Sequence, residues 1–159
     1  ALEGAHLLEA DAASAVDEAC RALAMKIVAD GEGATRFVTL HVQGAASAED
    51  ARRAAKTIAN SLLVKTSWFG GDPNWGRVIS AAGRSGVAMD PARVAIRYDG
   101  VTAVRDGQPV PGVLKDLEAV LKQKQFTLTV LLNLGQGAST VYTCDCSEEY
   151  VKINSEYMT

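Results

Sequence analysis

The first residues that could do chemistry lie in "ADGEGATRF", residues 29–37, where Glu32 is held between Gly31 and Gly33. A glycine-rich string of this kind suggests a phosphate cradle. Such cradles, however, run from strand to helix, so that backbone N–H groups and the helix N-terminus face the anion. Here the flanking residues read in the opposite order, helix then loop then strand, and the central side chain is itself an anion. The loop does not suit phosphate. Asp30 and Glu32 stand instead at the negative end of a helix macrodipole, where each carboxylate is disfavoured by about 0.3–1 kcal/mol. Two acids in that position make sense if a cation docks there. On pattern alone, a pair of solvated acids at a loop tip is the simpler account.

Other candidates are weaker. In "GDPNWGR", Pro73 after Asp72 fits a helix cap followed by a first-turn proline, and Gly71 and Gly76 permit close backbone approach. Trp75 and Arg77 then suggest a structural corner pinned by a buried indole and an Arg–Asp pair. Cys144 and Cys146 flank Asp145. Zinc takes about four ligands, and Cys20, His6 and His41 have no matching spacing, so two small buried thiols on one face of a strand is the better reading. With only His6 and His41 present, no Ser/His/Asp or Cys/His triad can be assembled. The tail "EEYVKINSEYMT" carries Tyr150, Ile153 and Tyr157 where termini usually fray. This argues for a docked tail that fixes Asn154 and the free carboxylate of Thr159. A tail anchored only for stability is the alternative.

The elements that must position these groups follow from periodicity. Residues 11–29 read as a helix with Val16, Cys20, Leu23 and Ile27 on one face, stopped at Gly31. Phe37 to Gln43 is a half-buried strand with Val38, Leu40 and Val42 inward. Ser47, with Asp50 three residues on, opens a second helix whose buried stripe is Ala51, Ala55, Ile58 and Leu62. A turn-rich stretch after Lys65 leads to a short helix from Pro73 to about Ala82. Val94, Ile96 and Tyr98 form a strand, Asp99-Gly100 a hairpin turn, and Val101 to Val104 the return strand, closed at Asp106-Gly107. Leu114, Leu117 and Leu121 mark a third helix. Phe126, Leu128, Val130, Leu132 and Leu134 alternate along a strand, and Thr140 to Cys146 forms another. The mixture predicts an α/β or α+β fold with antiparallel hairpins.

The totals set the outer limits. The 159 residues are 48% hydrophobic, enough for one domain, or one and a part, with a core that needs neither disulfide nor metal. A net charge of -3 argues against a nucleic-acid or anionic-membrane surface. Three cysteines, two of them one residue apart, point to a reducing cytoplasm rather than a secreted framework. No apolar run approaches a membrane span, and no signal peptide is recognisable.

Taken together, "DGEGATRF", "ARRAAKTIANSLLVKT", "FGGDPNWGR" and the terminal "YTCDCSEEYVKINSEYMT" resemble one family, the ornithine acetyltransferases (bifunctional glutamate N-acetyltransferases) of arginine biosynthesis. The resemblance runs from about Val16 to the end. It implies a precursor that cleaves itself before a threonine to give α and β chains. That threonine carries acetyl from N-acetylornithine to glutamate with no metal or organic cofactor. It also implies the layered α/β sandwich of the self-processing aminopeptidases, with a smaller C-terminal domain. Residues 1–43 are then expected to be the last part of the main sandwich domain, and 44–159 the C-terminal domain whose tail returns to the active site. No Thr precedes Thr35, and no Ala-Thr-Met processing site is present. The resemblance therefore implies that the chain starts inside the β chain and carries no catalytic residue of its own. Its partners would be the upstream α chain and the nucleophile-bearing β segment, in a higher oligomer of αβ units. Substrate contacts are implied for Glu32, Asn154 and Thr159, with ornithine and its acetyl derivative supplying ammonium groups and glutamate accepting the acetyl group. Cys146 and Met158 depart from the family's usual aliphatic and polar or basic residues. Two other readings stay open: a self-processing hydrolase or aminopeptidase with water as acceptor, and a non-catalytic amino-acid-binding module.

Overall fold

The computed structural model describes the backbone of residues 2–156 and the side chains of residues 11–156. A long helix, α1 (Leu2–Ala29), leads into the glycine loop and then into β1 (Phe37–Ala45). Along β1 the expected alternation holds: Val38, Leu40 and Val42 are fully buried. Helix α2 (Ala48–Ala59) begins where the Ser47 hydroxyl accepts from Asp50 N at 3.1 Å, which satisfies one of the unpaired donors of its first turn. Ala51, Ala54, Ala55, Ile58 and Ala59 form its buried stripe. These small side chains let the helix lie close against the sheet.

Leu62 does not continue that stripe. The backbone leaves the helix at Asn60, and Leu62 is exposed in a new helix, α3 (Leu62–Phe69). This helix replaces the turn expected after Lys65. Thr66 and Ser67 turn their hydroxyls back onto the carbonyls of Leu62 and Val64, at 3.0 and 2.7 Å. Trp68, one turn further on, is fully buried. The next helix, α4 (Trp75–Gly83), is capped by Asn74 Oδ1 accepting from Arg77 N, rather than by Asp72. Asp72 instead accepts from Asn74 Nδ2 at 3.0 Å. The expected pins of this corner are not found: Trp75 is only half-buried while Trp68 is the buried indole, and Arg77 donates to the carbonyl of Leu63 at 2.9 Å rather than to an aspartate.

Strands β2 (Ala95–Tyr98) and β3 (Val101–Arg105) form the predicted hairpin, with Asp99 at φ 48 in its turn, and β4 (Gln108–Pro109) adds a short edge. Burial, together with the nearby charge of Asp72, raises the pKa of the Tyr98 phenol, which therefore stays neutral inside the core. Helix α5 (Leu114–Leu121) buries Leu117 and Leu121 but leaves Leu114 exposed. β5 (Gln125–Leu131) and β6 (Gly137–Cys144) complete one six-stranded sheet of order β4-β3-β2-β5-β1-β6. Only β1 and β5 are parallel; the other pairs are antiparallel. β6 starts earlier than expected and ends at Cys144, because Asp145 leaves the ladder to make the contacts described below.

The tail forms α6 (Glu148–Glu156). Tyr150 is about half exposed and Ile153 half-buried. Tyr157, Met158 and Thr159 lie outside the described residues. The apolar stripe of α1 finds no cover: Val16, Leu23 and Ile27 are 61%, 59% and 73% exposed. Among the described residues, no element lies along that face to bury it.

Candidate functional site

The glycine loop is built by what lies beneath it. Asp145, whose side chain is fully buried, accepts from Thr35 N at 2.8 Å and Arg36 N at 3.1 Å through one oxygen. Its other oxygen takes the Thr35 hydroxyl and Arg36 Nη1. Arg36 goes on to donate from Nε to Leu121 O at 2.7 Å and from Nη1 to Phe69 O at 3.0 Å. One ion pair therefore ties the loop to the ends of α3, α5 and β6. A carboxylate that accepts several charge-assisted bonds is held firmly, and so is what it holds. In the sequence neither Asp145, set between two thiols, nor Arg36 stands out as a site residue. The signal is a charged residue amid apolar and small ones at each position, but a separation of 109 positions hides the pairing.

Above this knot, Ser147 closes the loop onto the tail. Its hydroxyl donates to Gly33 O at 2.5 Å and accepts from Tyr150 N at 3.2 Å, capping α6 while fastening it to the loop. Gly33 has φ +63, and a Cβ there would lie 2.5 Å from Tyr150 N. Only glycine allows this approach.

The result brings two of the three expected site residues together. Asn154 Nδ2 donates to Glu32 Oε2 at 3.1 Å and to Tyr150 O at 2.9 Å. Both side chains are exposed and so reachable by solute. The third residue, Thr159, lies outside the described residues. Asp30 is exposed and takes no part in the contact.

Beside the pair opens a cleft of about 290 Å³ lined by residues that include Glu32, Lys65, Cys144, Asp145 and Tyr150. Lys65 was not anticipated as a site residue. Of the two thiols expected to be buried, Cys146 is, but Cys144 is half-buried and faces this cleft. His41 sits on β1 with Nδ1 2.8 Å from the Thr140 hydroxyl. The side chain of His6 lies outside the described residues. Among the described residues, no group of three or more His, Cys, Asp or Glu side chains is placed to hold a metal ion, and no helix is long and apolar enough to cross a membrane.

Residues 5–159 match the model of the ArgJ family. The chain is 49% identical, over 94% of its length, to the arginine biosynthesis bifunctional protein ArgJ of Geobacter sulfurreducens, and it spans 38% of that protein. It is 47% identical, over 88% of its length, to the glutamate N-acetyltransferase of Methanocaldococcus jannaschii, spanning 37% of it. The crystal structure of arginine biosynthesis bifunctional protein ArgJ from Bacillus halodurans superposes with a TM-score of 0.90 at 35% identity, covering 93% of this chain and 70% of that one. The mixed α/β sheet with its helices is therefore the fold of that structure. The chain spans well under half the length of the curated relatives it matches.

Proposed function

The chain belongs to the ArgJ family, and from that premise we propose that it is part of an acetyltransferase moving acetyl from N-acetylornithine to glutamate through an acetyl-threonine intermediate. The threonine belongs to a segment other than these 159 residues. Its oxygen takes the acetyl carbon as the ornithine amine departs with a proton. Glutamate's amine then takes the acetyl group and returns a proton to the threonine. This chain supplies a substrate site: Glu32 receives an ammonium group, Asn154 orients an amide or carboxylate, and Thr159 adds a further substrate contact.

The observation that carries this reading is the Asn154–Glu32 contact, which joins two motifs 122 residues apart beside the cleft that Glu32 lines. The exposed stripe of Val16, Leu23 and Ile27 supports the partner assignment, since such a face is covered if the α chain and the nucleophile-bearing segment pack on it. On the same ground we place α1 with that larger domain; the expected boundary at residue 43 does not hold, because β1 pairs with β5 and β6 inside this chain's own sheet.

In the full-length protein, Glu32→Gln should leave melting nearly unchanged. Transfer efficiency with N-acetylornithine should fall about tenfold or more, because a charge-assisted hydrogen bond contributes roughly 1.5–3 kcal/mol. Steady-state kinetics with both substrates checks this, and unchanged kinetics would return Glu32 to the role of a solvated loop acid.

Thr159 gives a separate test. Thr159→Val keeps the shape without the hydroxyl, and Thr159→Ala shortens the side chain. Both should impair transfer in the full-length protein while the melting temperature moves little. Full activity in both proteins would take Thr159 out of the site.

A further inference from the structure

Lys65 is half-buried at the cleft wall, and its ammonium has poor company. Its polar neighbours are the Thr143 hydroxyl at 3.5 Å and Cys144 Sγ at 3.6 Å, both long and neither anionic. Among the described residues, no carboxylate lies within ion-pair distance of it. Asp145 also lines the cleft, but its oxygens are taken up by Thr35 and Arg36. The lysine's backbone is fixed, since Lys65 O accepts from Cys146 N at 3.4 Å and Lys65 N donates to Ser61 O at 2.9 Å. A partly desolvated ammonium held on an anchored helix, with three donors and no anion, is costly unless a ligand completes it.

The same cleft carries Glu32, a negative group whose single side-chain partner among the described residues is Asn154. One acid and one ammonium on the walls of a 290 Å³ cleft are the complement of a zwitterion. We infer that Lys65 binds the carboxylate of the amino-acid substrate whose ammonium is received at Glu32, and so selects substrates with a free carboxylate over amines and carboxamides. This assignment rests on the cleft being the substrate site proposed above.

In the full-length protein, Lys65→Gln should raise KM for N-acetylornithine and for glutamate by about 10- to 100-fold, with kcat much less affected. Lys65→Arg, which keeps the charge, should retain most of the affinity. The deciding comparison pairs each substrate with its α-carboxamide. The wild-type protein should discriminate strongly against the carboxamide, and Lys65→Gln should barely discriminate. Unchanged KM in Lys65→Gln, or equal discrimination in both proteins, overturns the proposal. Should Lys65→Gln fold poorly, Lys65→Met keeps the stem and answers the same question. If the wild-type protein transfers no acetyl group at all, the proposed function fails, but Lys65 is still tested by the rise in melting temperature with added glutamate or ornithine. A rise that is lost in the variant supports the assignment. A rise that is kept, or none in the wild-type protein, overturns it.

Discussion

Asp145→Ala should destabilise the protein by about 3–5 kcal/mol, the range for removing one partner of a buried ion pair. Asp145 is fully buried and Arg36 is 17% exposed, so water cannot replace what is lost. The substitution leaves Thr35 N, Arg36 N and the guanidinium without their common acceptor. Arg36 keeps the carbonyls of Leu121 and Phe69, which limits the damage but cannot neutralise the charge. Against a typical stability of about 5–15 kcal/mol, the loss brings the fold near collapse. Urea unfolding should show a much lower midpoint with little change in slope. Asp145→Asn should fall between, because its carbonyl can still take the two backbone donors while its amide opposes the Thr35 hydroxyl and Arg36. A loss below about 1 kcal/mol for the alanine variant would show that the pair is no more than a surface-like contact.

Gly33→Ala should act on function more than on the core. Its left-handed backbone costs an alanine roughly 1–2 kcal/mol. The added Cβ would also lie 2.5 Å from Tyr150 N and 2.9 Å from the Ser147 hydroxyl, both in the segment that opens α6. The cheapest relief is for α6 to lift away, and this breaks the Ser147–Gly33 bond and carries Asn154 off Glu32. The sheet does not pass through Gly33, so it should survive. Limited proteolysis should cut residues 147–156 faster in the variant, and transfer by the full-length protein should fall by at least the roughly tenfold expected of one lost charge-assisted bond. Gly33→Asn separates the causes. Asparagine tolerates positive φ but still carries a Cβ, so it should fail as badly as alanine. Rescue by asparagine would mean that backbone strain alone is responsible.

The sequence made the sheet legible wherever a face was buried by neighbours within the chain. Val38, Leu40 and Val42, and Phe126 to Leu132, alternate because one side of each strand is dry. The Ser47 cap and the Asp99-Gly100 turn were legible because their chemistry is local. Glu32 and Asn154 were legible through resemblance to a family, and the structure then brought them within hydrogen-bond distance. Helix α3 was missed since Thr66 and Ser67 suggest a turn until their hydroxyls are seen to fold back onto the helix. Arg36, Asp145 and Lys65 were missed for another reason. Their surroundings are built by residues 78 to 110 positions away, and no local pattern records such a distance. The α1 stripe was read correctly as apolar, but apolarity does not say whether the covering surface lies in the same stretch of chain.

The place of β1 in the sheet has a kinetic side. Among the described residues it is the first strand, yet its two neighbours, β5 and β6, are the last. Until residue 125 has been made, the chain contains neither edge against which β1 can pair. During synthesis, Val38, Leu40 and Val42 therefore wait as an unpaired apolar strand while more than half the chain is added. Closing that loop is entropically expensive before any contact rewards it, so the sheet centre forms late and slowly. This interval, rather than the finished molecule, is when the protein is most open to association through its edge strands.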